Sequence, residues 1–292
     1  MKRVGVLGSS SMLGRALCKL LNNSGIEVLT IGRNSSCDLQ FDLNSATDTS
    51  YSQNFDVLFH CAASFADDSP IGAANNFQQN SYSVNRVLKL MESSNCSQLV
   101  YAGTLASAVD FDPAGYTSYG LSKCIAESQF GWSLNKGSSL FCSLRFTHLI
   151  DDDGDCIRHQ PWFGRVIAYA GSGNSLGLPD SLGPRNFLHV QDAAELMIRA
   201  AFQKLQGVFP VISVEFWLMH QLADLACRIF SKGGSWHLNT EKTPFRRFNY
   251  PAHSDDLWSL LNYKEKMTME NYLRHLTELN SIHQFGPLDV SA

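Results

Sequence analysis

The sequence predicts an α/β fold, a doubly wound parallel sheet followed by a smaller, discontinuous C-terminal domain. Three observations predict it. A glycine-punctuated turn, Gly8-Ser9-Ser10-Ser11-Met12-Leu13-Gly14, joins a short apolar run to a helical one. Apolar runs then alternate with helical periods as far as residue 150, which specifies a parallel sheet covered on both faces. Beyond residue 150 the pattern breaks into Gly-, Pro- and Ser-rich stretches between shorter elements.

Arg3–Leu7 reads as a strand, and Met12–Asn22 as a helix closed by Gly25. Glu27–Ile31 is a second strand, and Asp56–Cys61 a buried one bounded by polar residues. Residues 76–92 carry a helical period, and Gln98–Ala102 is a strand. A loop and a helix bearing Tyr119 and Lys123 follow, then a strand at Ser139–Phe146. Asp151–Asp155 is an acidic turn, 160–170 is helical, and 171–187 is loop-rich. Asn186–Val190 is expected as a strand, Val190–Gln203 as a helix and 207–214 as a strand-like run. Helices at 216–231 and 268–280 end the pattern. The expected organisation is a larger domain of residues 1–150, to which 186–214 return. Residues 151–185 and 215–292 are then the smaller domain, packed on the carboxyl edge of the sheet, where such sheets bind ligands.

The 292 residues, 44% of them hydrophobic, suffice for one large α/β domain with an appendage. A formal net charge of −4 argues against a general nucleic-acid or anionic-membrane binder. Neither a transmembrane run nor a signal-peptide pattern is visible, so a cytoplasmic protein is expected. The 8 cysteines are scattered without any C-x-x-C and read as reduced thiols. No metal site is expected. The acidic turn Asp151-Asp152-Asp153-Gly154-Asp155 lacks the alternating ligand spacing and terminal Glu of a calcium loop.

The turn at residues 8–14 follows a strand and opens a helix, the context of the Rossmann-type dinucleotide fingerprint. Gly8 permits the tight turn and Gly14 close helix–strand packing. Ser10, Ser11, Met12 and Leu13 supply backbone N–H groups and the positive helix end for a pyrophosphate. Ser11 stands where a further glycine is common, which weakens the match. After the second strand comes Gly32-Arg33-Asn34, without the acidic residue that accepts from an NAD ribose. Arg33 suits a 2′-phosphate, so NADP(H) is favoured over NAD(H); an ordinary solvated arginine is the alternative. Asp42 and Leu43 are expected beside the adenine.

Tyr119 and Lys123 lie four apart on one helix face. A phenol beside an ammonium is expected to have a lowered pKa and to exchange a proton with a substrate alcohol or ketone. Thr104 upstream offers a hydroxyl to the same substrate oxygen. The plain alternative is a surface helix in which Lys123 pairs with Glu127.

Together these segments resemble the extended short-chain dehydrogenase/reductase family, in its nucleotide-sugar epimerase, dehydratase and reductase branch, over roughly residues 3–200. DVLFHCAA (56–63) is similar to the family's strand ending in a small-residue turn under the cofactor, here Cys61, Ala62 and Ala63. Asn80 resembles its central-helix Asn, VYAGT (100–104) its strand ending in the catalytic Ser/Thr, and YGLSKCIAE (119–127) its Tyr–Lys helix. LRFTHL (144–149), with Phe146, resembles the strand leading to the nicotinamide, and RNFLHVQDAA (185–194) its R-D-F-x-H-V-x-D-x-A segment. The resemblance implies Tyr119 as acid/base, Lys123 as its ribose-binding partner and Thr104 as substrate anchor. It implies Arg185 near a nucleotide diphosphate; His148 stands where the family usually has Asn near that group, and either binds phosphate or simply packs. His159, Trp162 and Arg165 are expected where the smaller domain faces the sugar. His189 and Asp192 are expected to hold a strand–helix junction.

Members of that family move a hydride to or from a sugar carbon while Tyr moves the proton. The dehydratases need an Asp-Glu pair after the Ser/Thr, and the 3,5-epimerising reductases a Cys two residues past it. This chain has Leu105 and Ala106 there. Reduction of a 4-keto sugar nucleotide and 4-epimerisation with retained cofactor remain, and Arg33 favours reduction. A redox-sensing scaffold is a third possibility, which typically lacks the Tyr or Lys that this chain keeps. The resemblance also implies a homodimer through the helices around 80–92 and 119–133.

Overall fold

The computed structural model describes residues 1–45, 53–252 and 255–286. In chain order the strands are β1 (Arg3–Leu7), β2 (Glu27–Gly32), β3 (Leu39–Gln40), β4 (Val57–His60), β5 (Gln98–Thr104), β6 (Leu140–Phe146), β7 (His148–Ile150), β8 (Ser175–Leu178), β9 (Arg185–His189), β10 (Gly207–Val211), β11 (Phe216–Trp217) and β12 (Ser235–Leu238). The α-helices are α1 (Met12–Asn23), α2 (Pro70–Asn76), α3 (Val84–Ser93), α4 (Ser118–Leu134), α5 (Pro161–Ser172), α6 (Val190–Phe202), α7 (Met219–Phe230), α8 (Asp255–Leu260) and α9 (Met269–Glu278).

The chain forms two compact units. The first gathers Met1–Phe146, Val190–Val211 and Ser254–Lys264. Its seven-stranded sheet has the order β10-β6-β5-β4-β1-β2-β3, and every pairing is parallel. This is the doubly wound Rossmann-type arrangement that the alternating apolar runs specify. The chain runs from β1 out to β3 and then returns to β4 on the other side of β1. That reversal opens a crevice at the carboxyl ends of β1 and β4, the ligand position of such sheets. All of β4 is buried, so both of its faces are covered. Alternate residues serve the two layers: Leu58, Leu99 and Tyr101 share a core cluster with Val84 and Val87 of α3 and Ala126 and Phe130 of α4. Val57, Phe59 and Val100 are equally buried and point the other way. Helix α6 packs with α1 and is fixed to the sheet where buried Gln98 donates to the Ala201 carbonyl at 3.1 Å.

The segment 255–264 joins this unit by side-chain bonds, which periodicity does not reveal. Arg199 donates to the carbonyls of Leu261 and Asn262 at 3.2 and 2.8 Å and lies over the Tyr263 ring. The Tyr263 hydroxyl donates to Asp192 at 2.5 Å.

The second unit gathers Thr147–His189, Ile212–His253 and Glu265–Ala292. It holds a three-stranded sheet, β11-β9-β7, and a two-stranded one, β12-β8. Phe163, Phe187 and Tyr272 form its aromatic core, and the Tyr272 hydroxyl donates to the Asp151 carbonyl at 2.7 Å. The Asp151 carboxylate accepts from the N–H groups of Asp155 and Cys156, so the acidic turn caps a short 3₁₀ segment.

Two expectations from the sequence are corrected. The strand at 186–190 does not return to the large sheet: β9 pairs with β7 in parallel and with β11 antiparallel. Rejoining begins at Val190, and of the run 207–214 only Gly207–Val211 enters the sheet. The helix expected from residue 216 begins at Met219, because Phe216 and Trp217 extend the edge of β9.

Candidate active site

Gly8 has φ of 83°, a conformation that glycine adopts without a Cβ penalty. A Cβ there would stand 2.5 Å from the Ala62 nitrogen, and one at Gly14 would overlap the Gly8 carbonyl oxygen. Both substitutions would fill the turn between β1 and α1. Ser11 needs no such freedom, having φ of −70° and ψ of 160°. It is the N-cap of α1: its N–H donates to the Gly8 carbonyl at 2.9 Å and its Oγ accepts from the Gly14 N–H at 3.1 Å. Serine thus replaces the common glycine as a cap. Among the described residues, none accepts a hydrogen bond from the N–H groups of Ser10, Met12 or Leu13. Free donors at the end of a 12-residue helix, beside a turn that tolerates no side chain at Gly8 or Gly14, fit a pyrophosphate. Leu13 itself points its side chain into the core.

Beyond β2, Arg33 is exposed, and its carbonyl accepts from the Gln40 side chain at 3.1 Å. The acidic residue that follows, Asp38, binds the Thr30 N–H and hydroxyl at 2.9 and 2.6 Å, which hold its carboxyl below the usual range. Asp42 accepts from the Asn44 N–H at 2.9 Å, and its carbonyl accepts from Arg86 at 3.2 Å. Leu43 is in the core cluster beneath α3, a structural position that its place in the sequence did not reveal.

At the end of β4 the Cys61 N–H donates to the Leu7 carbonyl at 2.8 Å, and Ala62 lies against Gly8. Burial pushes the Cys61 thiol up, so it stays neutral; Ala63 is exposed. Asn80 lies in a π-helical turn, Phe77–Tyr82, inserted into the helix expected at 76–92. Its Oδ1 accepts from the Ser64 N–H at 2.8 Å, and its Nδ2 donates to the Ser64 carbonyl at 3.0 Å and to Ser122 Oγ at 2.9 Å. Both amide hydrogens are engaged, so Asn80 ties the loop after β4 to α4.

Strand β5 delivers Thr104, whose Oγ1 accepts from the Ala106 N–H at 3.2 Å and caps a tight turn. Gly120 lets α4 approach that turn at the Ala106 carbonyl. Thr117 caps α4 through the Gly120 N–H at 3.0 Å. This packing sets half-buried Tyr119 near Thr104, whose hydroxyl favours the phenolate. Burial pushes the Tyr119 phenol up to about 12, and the Thr104 hydroxyl only partly opposes that. The ammonium does not lower it, contrary to what the four-residue spacing predicts. Lys123 is 2% exposed and donates to the Ala102 carbonyl at 2.8 Å, 3.9 Å from the Tyr101 ring centre. Burial pulls its own pKa down to about 7, against the pull of Cys61 and Glu127. Nor does Lys123 pair with Glu127: that carboxylate accepts from Ser143 at 2.6 Å and forms an ion pair with Arg145. Phe146, at the end of β6, is buried.

His60 went unnoticed in the sequence, where it reads as part of an apolar run. It is 3% exposed, edge-on to Tyr101 and Phe130 at 5.2 and 5.8 Å, and its Nδ1 has no hydrogen-bond partner among the described residues. Burial and then Lys123 pull its pKa down to about 3.

In the second unit, His148 Nδ1 donates to the Asn186 carbonyl at 3.2 Å among the rings of Trp162, Phe187 and Phe248. Burial and then Arg185 pull its pKa down to about 4. Arg185 is 3% exposed, with its guanidinium 4.4 Å from the Phe248 ring centre. His159 is exposed at the end of a 3₁₀ segment, as is Arg165 on α5. His189 Nε2 meets Asp152 at 3.1 Å.

His60 and His148 have folded pKa values depressed below the ordinary 6.5. The unfolded chain binds those protons first, so the stability present above pH 6.5 is lost as pH falls toward the folded values. Urea midpoints are expected to drop steadily on acidification from that point, and less steeply in His60→Phe.

A model of the NAD dependent epimerase/dehydratase family matches residues 4–211. The chain belongs to this family. It is the extended short-chain dehydrogenase/reductase type that the motifs resemble. No curated protein matches the family member described here in sequence. Solved structures match its fold. UDP-N-acetylglucosamine 4-epimerase from Bacillus cereus superposes with a TM-score of 0.75 at 19% identity, covering 96% of each chain. RMD from Pseudomonas aeruginosa, complexed with NADPH, gives 0.76 at 18% identity, covering 97% of this chain and 99% of that one. The Bordetella bronchiseptica enzyme WbmF, in complex with NADH, gives 0.74 at 19%, covering 97% and 94%. Among the described residues no His, Cys, Asp and Glu side chains group in a way that could hold a metal ion. No helix there is long and apolar enough to cross a membrane.

Proposed function

We propose that this chain is an NADP(H)-dependent oxidoreductase that reduces the 4-keto group of a nucleotide sugar. The observation that carries the reading lies after β2. Arg33 stands exposed there, while Asp38, the nearest acidic residue in sequence, is engaged by Thr30. A guanidinium matches a 2′-phosphate, and Thr30 holds one oxygen of the Asp38 carboxylate away from the role of selecting a ribose hydroxyl. A reductase exchanges its cofactor at every turnover, and such enzymes usually draw on NADPH. Leu105 and Ala106 supply neither the carboxylates of dehydration nor the thiol of 3,5-epimerisation.

When bound, the nicotinamide supplies the hydride. The chain's own residues handle the proton. With its pKa near 12, Tyr119 holds its proton at neutral pH and is a donor to a carbonyl oxygen that gains charge. Thr104, near that phenol at the end of β5, orients the same oxygen. Lys123, one turn along α4, is assigned to the cofactor ribose, the role that the family resemblance implies. The role for Ser10, Met12 and Leu13 is the pyrophosphate, through backbone N–H groups. We assign Arg185 to the substrate diphosphate, and we infer a cytoplasmic homodimer through α3 and α4, supported by exposed Trp132 on α4.

Purified protein is expected to consume NADPH with a nucleotide 4-keto-6-deoxyhexose, followed by nicotinamide absorbance. Interconversion of hydroxyl epimers without net cofactor consumption would establish an epimerase instead. Arg33→Ala is expected to weaken NADPH binding roughly 10–100-fold and NADH binding by less than about threefold, in a fluorescence titration.

A further inference from the structure

The loop after β4 carries Phe65, which is 50% exposed and whose ring meets the Tyr119 ring edge-on, centres 4.5 Å apart. The loop is held there by two buried asparagines that reach α4 with their other bonds. Asn76 Oδ1 accepts from Ser64 Oγ at 3.0 Å and the Ala66 N–H at 2.9 Å. Its Nδ2 donates to the Ala66 carbonyl at 3.1 Å and to Ser118 Oγ at 2.9 Å. Asn80 grips the Ser64 backbone and Ser122 Oγ, and Ser122 Oγ donates to the Tyr119 carbonyl at 2.9 Å. Asp68 adds a bond from the Ser118 N–H at 2.6 Å. Both neighbours of Phe65 are therefore tied to residues on either side of Tyr119. A fixed, half-exposed aromatic ring beside the phenol that handles the proton is a wall for whatever reacts there.

We propose that Phe65 is a specificity residue: its exposed edge, fixed on the Tyr119 ring by Asn76 and Asn80, packs on the substituent next to the reacting carbonyl and selects a methyl group there over a hydroxymethyl. The inference rests on the reductase reading above. A ring edge offers no hydrogen bond, so a hydroxyl pressed on it loses water without replacement, whereas a methyl gains apolar contact. Apolar pockets discriminate against an added hydroxyl by roughly 100-fold at most.

The test compares kcat/KM for a nucleotide 4-keto-6-deoxyhexose with that for the corresponding 6-hydroxylated 4-ketohexose. Wild type is expected to prefer the deoxy compound roughly 10–100-fold. Phe65→Leu keeps most of that preference, and Phe65→Ser brings the two within about threefold, with NADPH affinity unchanged in both. An indifferent wild type, a Ser variant that keeps the preference, or one that loses NADPH binding overturns the proposal. A wild type that binds NADPH yet reduces neither compound overturns the reductase reading itself, and the proposal with it.

Discussion

Tyr119→Phe is expected to lower the rate of ketone reduction by roughly 100- to 10,000-fold while leaving NADPH affinity within about threefold of wild type. The variant removes one oxygen and keeps the ring that meets Phe65 at 4.5 Å, so the packing of α4 is retained. What is lost is the hydroxyl proposed as proton donor, which lies near Thr104. The defect should fall on kcat, because the hydroxyl matters most as charge develops on the substrate oxygen. Single-turnover kinetics at saturating NADPH read that step directly. A variant with near-normal turnover would reassign the proton donor.

The second large effect is expected at Gly14. Its substitution by Ala places a Cβ on the Gly8 carbonyl oxygen, a backbone atom that cannot swing aside. Relief requires α1 to shift away from β1, carrying the Met12 and Leu13 N–H groups with it. NADPH affinity is expected to fall by roughly 100-fold or more, equivalent to about 3 kcal/mol of misplaced donors. Isothermal titration checks the affinity, and circular dichroism checks that the sheet survives. Ser11→Gly is the instructive contrast, because a Gly N-cap loses only a few tenths of a kcal/mol relative to Ser.

The features of the candidate site that were legible in the sequence are those set by local geometry. Gly8 and Gly14 were legible because backbone conformation and close approach exclude other residues. Tyr119 and Lys123 were legible because helical spacing places them one turn apart. What escaped depends on partners distant in the chain. The phenol's ionisation is governed by burial under a packed loop, and the amine turns to the Ala102 carbonyl, so spacing alone gave the wrong sign for Tyr119. Asn80 bonds Ser64 and Ser122, neither of them near in sequence. The strand β9 was recognisable, but its choice of β7 and β11 over the large sheet was not, because an apolar strand does not name its neighbour. His60 hid in an apolar run, where only burial and its unpartnered nitrogen distinguish it.

The account depends on Tyr119 giving its proton to a carbonyl whose carbon receives a hydride from a dinucleotide held by the turn at residues 8–14. Transfer of deuterium from NADPH labelled at the nicotinamide C4 position, detected in the sugar product by NMR, tests this most directly. The expected result is label at the sugar C4 with wild type and almost none over the same time with Tyr119→Phe. Product free of label, or labelled equally by both proteins, would contradict it.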